Sequence, residues 1–118
     1  MKLEQQVTSL ELSKKLCELG AKQESLFYWT RRTDNKKIFI KDYGVYQGKR
    51  PDNDDEFSAF TVAELGNILD FYDQQKTDKH GFNEYISKRG DIEMSDRNPA
   101  NSLAKMLIYL LENNLIEL

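Results

Sequence analysis

His80 and Cys17 are the single histidine and single cysteine of this chain, and nucleophilic or metal chemistry would fall to them first. A Cys–His dyad needs the base within hydrogen-bond reach of the thiol. Cys17 sits inside a helical pattern at the edge of an apolar stripe, where a cysteine serves as a small hydrophobe. One histidine and one cysteine do not make a zinc site without several carboxylates, and no G-x-S-x-G elbow is present. Asp52-Asn53-Asp54-Asp55-Glu56 offers oxygen ligands for calcium or magnesium. It lacks the glycine at the sixth position of an EF-hand loop, and Ala63 stands where the closing Glu belongs, so it reads as a solvated acidic loop. Gly44 to Arg50 superficially matches a phosphate loop, but the glycine spacing is one residue short and Arg50 replaces the magnesium-binding Ser or Thr. These residues predict no catalytic, cofactor-binding or metal site, and hence a protein that is not an enzyme.

The remaining chemistry is basic and aromatic. Arg31, Arg32, Lys36, Lys37 and Lys41 surround Phe27, Tyr28, Trp29 and Phe39. Cationic side chains neutralise phosphates while rings stack on unpaired bases, so the segment 26–41 is a candidate nucleic-acid surface. The same pattern also suits a core hairpin whose charges solubilise its turn and strand ends. Trp29, Arg31, Arg32, Lys36 and Lys37 are the residues of this candidate surface, for a protein partner or for nucleic acid. The overall charge of −3 argues against a dedicated nucleic-acid binder. Residues 21–50 carry eight Lys or Arg against three acids, and residues 51–73 carry seven acids and no base. Such opposite segments either mark a partner surface or lie against each other.

These residues must be positioned by a small number of elements. Leu103, Met106, Leu107, Leu110 and Leu111 recur at helical spacing, so residues 99–113 form a helix with Asn98 as cap and Pro99 at its first position. Thr8-Ser9-Leu10-Glu11 fits a capping box, with Val7 stapling onto Leu12, and predicts a helix over 8–19 stopped by Gly20. Phe60-Thr61-Val62-Ala63-Glu64-Leu65 repeats that grammar and predicts a helix over 62–69. The likeness arises either by duplication or by independent recurrence of a capping box. Leu26–Thr30 and Lys37–Lys41 read as a β-hairpin turning at Asp34-Asn35. Tyr43 to Glu56 reads as a loop, with Val45 and Tyr46 available to extend an edge strand. A polar connection follows from Phe71, and Phe82–Lys88 with Asp91–Ser95 predicts a second hairpin turning at Arg89-Gly90.

The expected fold is therefore α+β in the order α-β-β-α-β-β-α. Two hairpins make one antiparallel sheet with three packed helices, and an α/β/α sandwich is one way to arrange them. At 118 residues the chain reads as a single domain, 1–118, rich enough in aromatic residues to fold around a real core. No apolar run approaches the roughly 20 residues that span a bilayer. The N-terminus lacks the features of a secretory signal, and the lone cysteine suits a cytoplasmic location. The first hairpin is apolar on both faces, Leu26 and Tyr28 on one, Phe27 and Trp29 on the other. An incompletely covered part of the sheet around Trp29 is thus expected to serve another subunit, as a homodimer, or another partner.

Three stretches, VTSLELSKKLCELGAKQESLFYW, FSAFTVAELGNIL and LAKMLIYLLENNLI, together resemble a family of small proteins of unassigned activity encoded in phages, prophages and mobile elements of bacteria. The match runs in order over about half of the chain; the insertion at 49–56 and the segment around 74–80 lie outside it. The resemblance implies a bacterial or phage-infected cytoplasm. With the missing catalytic motifs, it leads to the expectation of a non-catalytic phage or prophage accessory or interaction protein, without cofactor and without membrane association.

Overall fold

The computed structural model describes residues 2–31, 43–48, 56–79 and 81–118. A short 3-10 turn at Leu3–Gln5 precedes α1 (Leu10–Glu18), then β1 (Phe27–Arg31), β2 (Tyr43–Gln47) and β3 (Glu56–Ala59). After these come α2 (Val62–Leu69), β4 (Asp73–Lys79), β5 (Phe82–Arg89), β6 (Ile92–Asp96) and α3 (Pro99–Glu112). The class is α+β, as the sequence predicts, and helices and strands alternate in broadly the expected order. The strands divide between two antiparallel sheets, ordered β2-β1-β3 and β4-β5-β6. Among the described residues, a single sheet of two hairpins is therefore corrected to two sheets of three strands. The expected strand Lys37–Lys41, its turn, and the acidic run 51–55 lie outside the described residues.

Three strands lie in segments read mainly as loop or connection. Tyr43–Gln47 and Glu56–Ala59 flank β1 on either side; the first is the edge strand that Val45 and Tyr46 allowed, and the expected loop also ends as strand at Glu56. Asp73–Lys79 has the sequence DQQKTDK, poor in β-branched and aromatic residues, yet pairs along its whole length with β5. Its register carries the strand where its propensity does not. The hairpin of β5 and β6 turns at Gly90, whose φ of 61° suits a residue without Cβ.

α3 forms the centre of the core. Leu103, Met106 and Leu107 are wholly buried and meet Leu16 of α1 and Leu65 and Leu69 of α2 in one cluster. Asn98 caps the helix, accepting from the amides of Ala100 and Asn101, with Pro99 at the first turn. α3 lies over β5 and β6, α1 lies against β3, and α1 and α2 both touch α3. The helices thus join the two sheets instead of flanking one. A mid-helix glycine, Gly66, leaves room for the Tyr72 hydroxyl, which would lie 2.7 Å from a Cβ at that position.

The N-terminal cap of α1 is corrected by one residue. Ser9, not Thr8, accepts from the Leu12 amide, while Thr8 turns into the core and is fully buried. Its Oγ1 lies 2.7 Å from the Ser13 Oγ and accepts from the Phe60 amide at 3.0 Å. α2 keeps the expected capping box between Thr61 and Glu64. The two similar cap segments pair with each other: Val7 bridges Thr61, and the Thr8 amide donates to the Phe60 carbonyl at 2.9 Å. The repetition ends there, because β1, the first strand after α1, is central in its sheet, whereas β4, the first strand after α2, lies at the edge of its own.

Candidate interaction site at Trp29

β1 is the middle strand of its sheet, and its alternation fixes what Trp29 faces. Trp29 stands opposite Val45 on one side and Phe57 on the other, with Arg31 opposite Tyr43. Directly opposed residues share a face, so Trp29, Arg31, Tyr43, Val45 and Phe57 form one surface. The other surface carries Tyr28, Thr30 and Ser58, all buried. Both faces are covered in part, as expected for a strand apolar on both sides.

α1 lies along the Trp29 surface. The Lys14 ammonium sits 5.2 Å from the centre of the Tyr43 ring and 5.6 Å from that of Phe57. The two rings are tilted at 43° with centroids 6.4 Å apart. A cation in this position is attracted to the negative faces of the rings while its stem covers apolar surface. Trp29 itself is half-buried, and its indole N–H donates to the Thr8 carbonyl at 2.8 Å. Beside it, a cleft of ≈ 520 Å³ is lined by Glu4, Ser9, Leu10, Glu11, Lys14 and Trp29. Leu10 is buried, and Glu4 and Glu11 are exposed on the rim.

The cleft is held by a segment, residues 7–9, that is hydrogen-bonded to several other elements. The Val7 carbonyl accepts from the Asn98 side chain at 2.9 Å, and the Ser9 amide donates to Asn101 Oδ1 at 2.8 Å. Residues 7–9 therefore connect the starts of α1, α2 and α3 to Trp29. A binding surface built on such a segment needs little reordering when it is occupied.

Of the expected surface residues, Trp29 and Arg31 share one strand face, and Arg31 is half-buried at the end of β1. Arg32, Lys36 and Lys37 lie outside the described residues. So does His80, while Cys17 is a half-buried free thiol on α1. Among the described residues, no group of three or more His, Cys, Asp or Glu is placed to hold a metal ion. No helix among them is long and apolar enough to cross a membrane. Glu4, Leu10, Glu11 and Lys14 are not singled out by the sequence, because the helical stripe of α1 does not reveal which strand its charged side overlies. No protein-family model, curated protein or solved structure matches this chain.

Proposed function

We propose that the protein is a non-catalytic accessory or interaction protein that grips its partner at the Trp29 cleft. The carrying observation is a half-buried indole, fixed by Thr8, lining a recess of ≈ 520 Å³ whose rim holds Glu4, Glu11 and Lys14. That size suits one or two side chains of a bound segment, and a tryptophan at the centre of a contact supplies much apolar area at small entropic cost. The ionic rim adds orientation and speed of association. The resemblance to phage-encoded proteins supports a role in the cytoplasm of a bacterium or an infected cell.

The test is selection of displayed peptides against the wild-type chain, followed by binding to a variant carrying Glu4→Arg and Glu11→Arg. Both positions are exposed, so the variant should fold. Peptides that use the cleft should lose about tenfold or more in affinity, close to 1.4 kcal/mol. Equal binding to wild type and variant would remove the cleft from the account.

Nucleic-acid binding is the second reading, because Trp29 and Arg31 share a face. It requires affinity that falls steeply with salt and a slope that Arg31→Ala flattens.

A further inference from the structure

β4 is an edge strand of unusual character. It runs seven residues, Asp73–Lys79, with β5 on one side and no described strand on the other. α3 covers β5 and β6 and reaches β4 at its start, where Gln74 Nε2 donates to the Pro99 carbonyl at 3.0 Å. Beyond that point Lys76 and Asp78 are exposed. The strand contains no proline, and charges, Lys76 and Asp78 among them, are what guard its open edge.

We propose that β4 pairs antiparallel with β4 of a second copy of this chain, about a two-fold axis through Thr77, joining two three-stranded sheets into one of six. Charge selects both the occupant and the register. With the axis at Thr77, Lys76 lies opposite the second copy's Asp78, and Asp78 opposite its Lys76, on the face that carries Tyr85. Thr77 meets its own copy on the other face. Opposite charges and threonine pairs at directly opposed positions are favourable cross-strand neighbours. Moving the axis to Lys76 sets two ammoniums against each other, and moving it to Gln75 leaves Lys76 opposite Gln74 with no ion pair. A shift by a single residue turns the faces out of phase. The same charges that deter foreign strands thus favour this one partner. The contact is narrow, so the dimer is weak and concentration-dependent. This surface is separate from the Trp29 cleft.

Sedimentation velocity at low salt across a concentration series tests the pairing with four chains: wild type, Lys76→Asp, Asp78→Lys and the double exchange. The positions are exposed, and circular dichroism checks that each variant is folded. Wild-type mass should climb from 13.8 kDa toward twice that value. Each single exchange turns two attractive pairs into two repulsive ones and should move the midpoint to about tenfold higher concentration. The double exchange should restore it. A wild-type mass that stays at 13.8 kDa throughout would overturn the proposal. So would a dimer indifferent to the single exchanges, or one that the double exchange fails to restore.

Discussion

The indole N–H of Trp29 donates to the carbonyl of Thr8 at 2.8 Å, across 21 residues of sequence. That bond ties the middle strand of the first sheet to the segment from which α1 starts. Trp29→Phe keeps most of the ring and removes the donor, while Ser13 Oγ still reaches the same carbonyl at 3.3 Å. A loss of about 1 kcal/mol in urea unfolding is expected, the size of one net hydrogen bond.

Thr8→Val should be more damaging than Ser9→Ala. The valine removes the oxygen that accepts from the Phe60 amide, leaving that buried donor without its acceptor, while Ser13 Oγ keeps the Thr8 carbonyl. About 2–3 kcal/mol is expected for Thr8→Val, against about 1 kcal/mol for the lost cap at Ser9. The reverse order in chemical denaturation would return the cap to Thr8.

Leu107 is wholly buried at the centre of the helical cluster. Leu107→Asp should abolish the cooperative thermal transition, since no partner awaits a charge there. Leu107→Ala should leave a folded chain weakened by about 2–5 kcal/mol. A melt of Leu107→Asp like that of wild type would place the core elsewhere.

At the end of α2, Asp70 has φ 62° and ψ −47°, and the Phe71 amide donates to the Leu69 carbonyl at 2.6 Å. This is a tight three-residue turn that a side chain disfavours. Asp70→Gly should therefore stabilise the protein by about 1 kcal/mol, seen as a higher denaturation midpoint with an unchanged slope.

The helices were legible because their signals are local. α2 spans the expected 62–69, and Asn98-Pro99 starts α3 where capping chemistry places it. The strands were less legible, because pairing partners are distant and composition misleads. Asp73–Lys79 looks like a linker and is held by β5; Tyr43–Gln47 is broken by a glycine and held by β1. The division into two sheets, with α1 packed on β3 and α3 on β5 and β6, is a matter of distant contacts, which no periodicity reports. At the site, the sequence marks Trp29 and Arg31. It passes over Lys14, whose role appears once α1 is laid across Tyr43 and Phe57.

Trp29 is the chain's single tryptophan, so its emission reports the cleft alone. Acrylamide quenching of that emission, with and without a saturating tryptophan-free peptide from the selection, tests the central claim most directly. Free protein should be quenched to an intermediate degree, as a half-buried indole requires. The bound peptide should lower the quenching constant severalfold by closing the cleft, an effect that Glu4→Arg with Glu11→Arg weakens. Emission and quenching that stay unchanged while the peptide is bound would contradict the account, because the partner would then be held somewhere other than at Trp29.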